Sequence, residues 1–377
     1  MNTQILFKNI EKKTIVWFEN SNQYLVVEVI LAEILKKLSN GIALNIIAKE
    51  LAEVLEIPKE KATDFILDIK KNILIPNQEK KEVILNRFKN ITIPKEFEYT
   101  NYYRIHDIVF KVDFSSELEL SLVHPKFAYL EIPKSQKYNF NYHVFNSHGT
   151  TFLYVGNTYI GSWCYDDIHY FQGKISMQIV QHIHHKPGED WLGVFHASAV
   201  SDGKNGVLFL GDSGNGKSTS LALLQANGFD CIADDFVPVS ALQQDIYSFP
   251  AAISIKKNSL NTLLSLYPEL ENSAEYHFKR LNKIVRFLPL KNKKSIRKVP
   301  CKGFVFIKYD QNIQCNVNKI SNTIAFEKLI PDSWLSPLSE NVKAFLDWYS
   351  EIPCYEIMYS DNDRMISEVS KLFKNVL

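Results

Sequence analysis

The chain has 377 residues, which is long enough for two or three domains and a sizeable hydrophobic core. Hydrophobic residues make up 46% of it, which excludes a largely disordered protein. The formal net charge of +1 gives no global field toward nucleic acid or an anionic membrane, so we expect neither partner. Five scattered cysteines without metal-ligand spacing predict reduced thiols in a cytoplasmic protein, and no apolar run reaches the roughly 18 residues of a membrane span.

Residues 1–95 have the pattern of a separate module. We predict strands at Gln4–Lys8 and Thr14–Glu19, helices at Tyr24–Leu38 and Leu44–Leu55, a third helix opening at Pro58, and the start of a wing at Ile73–Pro76. Three helices with small flanking strands predict a winged-helix domain. In pattern and length this domain resembles the PqqD-like modules that bind leader peptides in ribosomal-peptide biosynthesis.

The charge of the predicted third helix bears on what such a module binds, because winged helices also bind DNA. The helix mixes basic and acidic residues in nearly equal number: Lys59, Lys61, Lys70 and Lys71 with Glu60, Asp64 and Asp68. A DNA-recognition helix is expected to be basic. The near-neutral helix therefore favours peptide capture by strand addition at an exposed sheet edge, with a purely structural appendage as the alternative.

Residues 96–190 change to a β-rich pattern. We predict strands at Ile105–Phe114, Leu118–Leu122, Phe127–Glu131, Tyr138–Phe145, Thr150–Tyr154 and Thr158–Trp163, followed by a helix or strand at Ile175–His182. The histidines that follow, His182, His184 and His185, have no cysteine or carboxylate at ligand spacing. They predict a solvated turn rather than a metal site.

The most specific motif is the run Gly211-Asp-Ser-Gly-Asn-Gly-Lys-Ser218, between an apolar strand at Gly206–Leu210 and a helix over Ser218–Gln225. A glycine-rich turn at a helix N-terminus directs backbone N–H groups toward a phosphate. Lys217 can then reach the β- and γ-phosphates, and the Ser218 hydroxyl can bind Mg²⁺. We predict an ATP site formed by Gly211, Asp212, Ser213, Gly214, Asn215, Gly216, Lys217, Ser218 and Thr219.

An aspartate pair, Asp234 and Asp235, follows the apolar residues Cys231-Ile-Ala. Phosphoryl transfer depends on positioning and charge stabilisation, so it needs a cation, a metal and a carboxylate beside the acceptor hydroxyl. The end of a buried strand is a suitable place for that carboxylate. The alternative is a strand-end turn without chemistry. For His196, in Phe195-His-Ala, the residue type alone permits a structural or a catalytic role.

The spacing of these motifs resembles the bacterial HPr kinase/phosphorylase family over about forty residues, with His196 lying 21 residues before Lys217 and Asp235 lying 18 residues after it. The resemblance implies that Lys217 neutralises phosphate charge, that Ser218 and Asp234 bind Mg²⁺, and that Asp235 takes the proton from the acceptor hydroxyl. It also implies that His196 lies against the phosphate site.

The chain departs from that family where the family has an acidic metal ligand in a Glu-Ile-Arg-Gly run. The nearest segment is Ala252–Lys257, with Ser254 in place of the Glu. The acidic ligand is missing there. The basis for the family's reverse activity, which removes phosphate, is missing with it. Some peptide-biosynthesis relatives carry a Lys-Arg pair instead, which Lys279-Arg280 with Arg286 resembles. Arg280 is then a catalytic candidate that binds phosphate, and an exposed basic stretch is the alternative.

Near the C-terminus we predict a helix at Asn341–Tyr349, a strand at Pro353–Tyr359 and a helix at Asp361–Lys374. The expected fold is α/β: a P-loop kinase core of the HPr kinase/phosphoenolpyruvate carboxykinase type over 191–377, with the β-rich segment 96–190 and the winged helix. The expected function is that of an ATP- and Mg²⁺-dependent serine kinase for a peptide or small protein, and the sequence is compatible with a homo-oligomer. A kinase for free serine and a nucleotide-sensing interaction protein without catalysis are the alternatives.

Overall fold

The computed structural model describes residues 4–80, 91–278, 283–291 and 296–375 and is a mixed α/β protein. Its contacts divide the chain into two units. The first comprises the described residues of Met1–Val83 together with Lys319–Cys354, and the second those of Ile84–Asn318 together with Tyr355–Leu377. Among the described residues, none of the helices combines the length and the apolar character needed to cross a bilayer.

The helices, in chain order, are α1 (Val29–Ser39), α2 (Leu44–Leu55), α3 (Lys59–Ile69), α4 (Ile75–Gln78), α5 (Glu117–Phe127), α6 (Ile168–His184), α7 (Lys217–Ala226), α8 (Leu260–Leu263), α9 (Asn322–Leu329), α10 (Ser339–Glu351) and α11 (Asn362–Asn375). The strands are β1 (Ile5–Ile10), β2 (Lys13–Phe18), β3 (Gln23–Glu28), β4 (Tyr99–Ile105), β5 (Ile108–Phe114), β6 (Glu131–Ile132), β7 (Phe140–Ser147), β8 (Thr150–Val155), β9 (Thr158–Cys164), β10 (Trp191–Phe195), β11 (Ser198–Ser201), β12 (Gly206–Leu210), β13 (Asp230–Asp234), β14 (Val237–Ser240), β15 (Asp245–Tyr247), β16 (Ile253–Lys256), β17 (Tyr276–Phe278), β18 (Lys283–Leu288), β19 (Lys298–Tyr309), β20 (Cys315–Lys319), β21 (Ser333–Leu335) and β22 (Cys354–Tyr359).

The first unit is a three-stranded antiparallel sheet, β1-β2-β3, covered on both faces. Val16 and Phe18 on β2 share a buried core with α1, α2 and α3. Side chains alternate between faces along a strand, so Trp17 and its cross-strand partner Tyr24 point the other way. There the Tyr24 ring packs edge-on against Phe326 of α9 and Phe345 of α10.

Two predictions for this unit were wrong, and one segment groups differently from the expected domain boundary. The predicted helix Tyr24–Leu38 begins only at Val29, because the β-branched run before it pairs with β2 as strand β3. Ile73–Pro76 is helical rather than the start of a wing. The segment 319–354, which we had assigned to the P-loop core, groups with the N-terminal residues.

The second unit contains three sheets. In the largest, the order is β13-β11-β12-β19-β15-β14-β10, with β22 beside β19 and β20 beside β22. The β12 strand is parallel to β19 and antiparallel to β11, and α7 packs over this sheet in the main buried cluster. A second sheet has the order β6-β4-β5-β7-β8-β9, and a third has β16-β18-β17. The elements on either side of the Gly-rich loop thus belong to one sheet and its covering helix.

Most predicted strands of the β-rich segment are confirmed, but Leu118–Leu122 lies in helix α5. The Glu-Leu-Glu-Leu run alternates polar and apolar residues with the period of two that is typical of a strand. The decisive local signal is the N-cap residue Ser116, whose hydroxyl accepts the Leu118 N–H and donates to the Glu119 carboxylate. Between Phe127 and Glu131, most of the chain is a helical turn rather than a strand.

Two of the three histidines near the end of α6, His182 and His184, differ from the predicted solvated turn, whereas His185 is exposed at the helix C-cap. The His182 ring stacks on Phe140 with centroids 3.7 Å apart, and the Nε2 of His184 lies 2.8 Å from the Ser248 carbonyl oxygen. Burial lowers the pKa of both histidines to about 4. They are packing residues, and the described part of the chain contains no group of three His, Cys, Asp or Glu side chains suited to a metal ion.

Helix α2 provides a test of the core of the first unit. Leu51 is 4% exposed, whereas Val54 on the same helix is 71% exposed. We predict that Leu51→Ala lowers the free energy of unfolding by about 2–5 kcal/mol, because it leaves a cavity in a packed core. The matched Val54→Ala change should stay within about 0.5 kcal/mol. Urea unfolding of the full chain followed by circular dichroism measures both, and equal effects would contradict the described packing.

Candidate functional site

The Gly-rich loop, Gly211 to Gly216, lies between the end of β12 and the first residue of α7. Gly211 has a φ of +136°, and a Cβ there would lie 2.8 Å from the Ile307 carbonyl oxygen. Gly216 has a φ of +94° at the N-cap of α7. The Tyr309 N–H donates to the Asn215 carbonyl, which ties the loop to the end of β19. The predicted strand, loop and helix are confirmed, and the helix N-terminus is oriented to bind an anion.

Three side chains at the start of α7 are held by hydrogen bonds. Lys217 is buried, and its Nζ donates to the carbonyl oxygens of Gly211 and Asp212. The Ser218 hydroxyl donates to the Asp234 carboxylate, with distances of 3.0 and 3.2 Å to its two oxygens. Thr219 Oγ1 donates to Ser259 Oγ at 2.8 Å. The lysine amine and the serine hydroxyl therefore lie beside the same loop.

Asp234 is the last residue of β13 and is 3% exposed. Besides Ser218, its carboxylate accepts the Ser198 hydroxyl at 2.6 Å and the Ser254 N–H at 3.2 Å. Burial and, next, the negative charge of Asp235 raise the pKa of Asp234 to about 6, against the effect of these donors. The carboxylate thus orients Ser218 from behind the loop.

Asp235 follows directly and has a left-handed backbone with a φ of +61°. Aspartate tolerates this conformation better than most residues do. His196 lies in the turn between β10 and β11, and its Nδ1 is 3.2 Å from the Asp235 carbonyl oxygen. The histidine therefore contacts the backbone of Asp235. Both residues line the cavity above the Gly-rich loop.

That cavity has a volume of about 580 Å³. It brings together most of the residues predicted for the site, but its lining does not include Gly211, Asn215 or the predicted metal ligand Asp234. Other lining residues come from β16, from the turn that follows it and from β18. Its lining comprises His196, Asp212, Ser213, Gly214, Gly216, Lys217, Ser218, Thr219, Asp235, Ser254, Lys256, Lys257, Asn258, Ser259 and Ile284. The sequence pattern predicts no role for Lys256 and Lys257. Their only sequence signal was their closeness to Ser254, because nothing in the pattern shows that β16 lies beside the loop.

The structure describes only part of the basic segment that was predicted to contain a phosphate-binding arginine. Lys279 and Arg280 lie outside the described residues. Arg286 is described, and its guanidinium donates to the Leu270 and Glu271 carbonyl oxygens and lies 3.6 Å from the Glu275 carboxylate. Arg286, which lies near that pair in the sequence, thus directs its charge to the end of a helical turn.

The donor set fits a magnesium–nucleotide complex better than a dedicated metal cage. Magnesium is usually held by one or two protein groups together with substrate phosphates and water. Here the Ser218 hydroxyl can act as a ligand while its proton is donated to Asp234. The backbone N–H of Ser254 donates to the same carboxylate. The side chain of Ser254 is a hydroxyl, so this residue supplies no acidic ligand.

Comparisons with known proteins add no family to this description. No protein-family model matches the chain. No curated protein matches it either. The resemblances to HPr kinases and PqqD-like modules therefore remain predictions, and the site is judged on its geometry.

Replacing Ser198 tests the hydrogen bonds to Asp234 without any ligand. We predict that Ser198→Ala costs about 1–3 kcal/mol of stability at pH 8, because an ionised buried carboxylate loses a donor. The loss should be smaller at pH 5. The pKa of Asp234 in the folded protein, about 6, lies above its ordinary value of 3.8. The contribution of Asp234 to the free energy of unfolding therefore falls as the pH rises from 3.8 to about 6. Removal of the Ser198 donor raises the pKa of Asp234 in the folded protein further, so the contribution continues to fall to a higher pH.

Ser240→Ala is the matched control, since Ser240 is also buried and its hydroxyl has no hydrogen-bond partner within the described residues. It should show no dependence on pH. Urea unfolding at both pH values measures the two variants. A Ser198→Ala loss that is equal at pH 5 and pH 8 would contradict a change in the ionisation of Asp234 between these two pH values in the folded protein.

Proposed function

We propose that the protein is an ATP- and Mg²⁺-dependent phosphotransferase, a serine kinase acting on a peptide or small protein. The observation that carries the proposal is one cavity lined by both Lys217 of the Gly-rich loop and the Asp235 carboxylate. A phosphate held at the N-terminus of α7 would face a carboxylate that can accept a proton. We interpret the second unit as a P-loop kinase core of the HPr kinase type.

Each residue of the site would have a separate role in phosphoryl transfer. The loop N–H groups and Lys217 would bind the phosphates, and Ser218, oriented by Asp234, would hold Mg²⁺. The metal would supply neutralisation of phosphate charge when bound. The Asp235 carboxylate accepts the proton of the acceptor hydroxyl. The hydroxyl oxygen bonds to the γ-phosphorus, and the bond between the γ-phosphorus and the departing ADP breaks. His196 keeps the Asp235 backbone in place.

The first unit supports a peptide as the acceptor. Its sheet has β1 and β3 as outer strands, and an outer strand can pair with an extended peptide. On α3, Phe65 and Leu67 are exposed between charges of both signs. That surface suits a mixed apolar and polar peptide better than a nucleic-acid backbone. We interpret the unit as a PqqD-like substrate-holding module.

Asp235→Asn tests the proposed base. It should keep nucleotide affinity and lose transfer by roughly a hundredfold or more, the usual scale for a general base. The assay incubates the full chain with ATP, Mg²⁺ and either serine-containing peptides or free serine, and mass spectrometry detects the added phosphoryl group. Asp202→Asn is the control, because Asp202 caps an exposed turn whose two N–H bonds an asparagine can also accept.

The outcomes separate the candidate functions. Transfer to a peptide that is lost only in Asp235→Asn supports the proposal. Transfer to free serine alone would make the protein a small-molecule kinase. Nucleotide binding with no transfer to either acceptor would favour a nucleotide-sensing interaction protein and would contradict the proposed activity.

A further inference from the structure

Strand β16 reaches the site beside Asp234 and has two unlike faces. Ile253 and Ile255 are buried in the main core, while Ser254 and Lys256 alternate with them and both line the cavity. The Ser254 N–H donates to the Asp234 carboxylate. The contact that anchors β16 at Asp234 therefore fixes where Lys256, two residues farther on, meets the loop.

Lys256 meets the Gly-rich loop at Ser213. Its Nζ donates to Ser213 Oγ at 3.0 Å, and its side chain is half-buried. Lys217 Nζ donates to the carbonyl oxygens of Gly211 and Asp212, the two residues just before Ser213. Two amines thus border three consecutive loop residues, one reaching them from α7 and the other from β16.

The position of Lys217 identifies which part of a nucleotide would lie there. In loops of this type the lysine reaches the β- and γ-phosphates. Thr219 and Ser259, which line the same cavity, are hydrogen-bonded to each other. An ammonium group is a compact charge on a flexible stem, so Lys256 can exchange Ser213 for a phosphate oxygen without moving the strand.

We propose that Lys256 is a second phosphate-binding cation that contacts the terminal, γ-phosphate of the donor nucleotide. This inference rests on the proposed function and deepens it. The loop binds the phosphates that ATP and ADP share, Lys217 reaches the β- and γ-phosphates, and Lys256 adds a further contact that only the triphosphate can make. The Lys256 ammonium would thereby neutralise charge on the transferred γ-phosphoryl group. It lies on β16, the strand on which Ser254 supplies no acidic metal ligand.

Equilibrium binding of Mg-ATP and Mg-ADP to the full chain, measured by titration calorimetry, tests the proposal. Lys256→Met should weaken ATP binding by roughly tenfold or more, the scale of one charge-assisted hydrogen bond, and change ADP binding by less than about twofold. Lys256→Arg should retain most of the ATP affinity. Lys302→Met, an exposed lysine on β19, is the control and should bind both nucleotides like the wild type.

Ser213→Ala separates phosphate binding from a merely structural contact. If Lys256 only holds the loop through Ser213, this variant should reproduce the losses of Lys256→Met; if Lys256 binds the γ-phosphate, the preference for ATP over ADP should persist. Equal losses for both nucleotides in Lys256→Met, or no loss, would overturn the inference while the proposed function stands. A wild-type protein that binds neither nucleotide would overturn both.

Discussion

The buried carboxylate of Asp234 is the interaction on which the rest of the site depends. It collects a donor from each of three elements: Ser198 on β11, Ser218 on α7 and the backbone N–H of Ser254 on β16. A buried carboxylate is costly unless it is well hydrogen-bonded, so these three elements are held in one arrangement. That arrangement fixes the loop, the strand carrying Lys256 and the turn at Asp235 around a single cavity.

Groups of both charge signs line this cavity. Lys217, Lys256 and the N-terminus of α7 favour an anion at the loop, and Asp235 lines the same cavity. Phosphoryl transfer needs both, because the donor phosphates require cations and the acceptor hydroxyl requires a base. A loop that served only as a turn between β12 and α7 would have no need of Lys256 or of a carboxylate in a left-handed conformation.

The parts of the site that depend on local sequence could be predicted, whereas those that depend on the path of the chain could not. The Gly-rich run between an apolar strand and a helix determines its own geometry, so Gly211–Ser218 was found directly. Lys256 reaches the loop only through the placement of β16, which no local pattern shows. Tyr24–Glu28 was mistaken for helix because cross-strand pairing with β2 decides it. Leu118–Leu122 was mistaken for strand because its alternation outweighed the N-cap signal at Ser116.

The central claim is that this loop binds the phosphates of a nucleotide through Lys217. Equilibrium binding of Mg-ATP to the wild-type protein and to Lys217→Ala, with folding of both checked by circular dichroism, tests it most directly. The account predicts saturable binding by the wild type and at least a roughly tenfold weaker affinity in the variant, since a charge-assisted contact to phosphate is lost. Equal affinities in the two proteins, or no binding by the wild type, would contradict it.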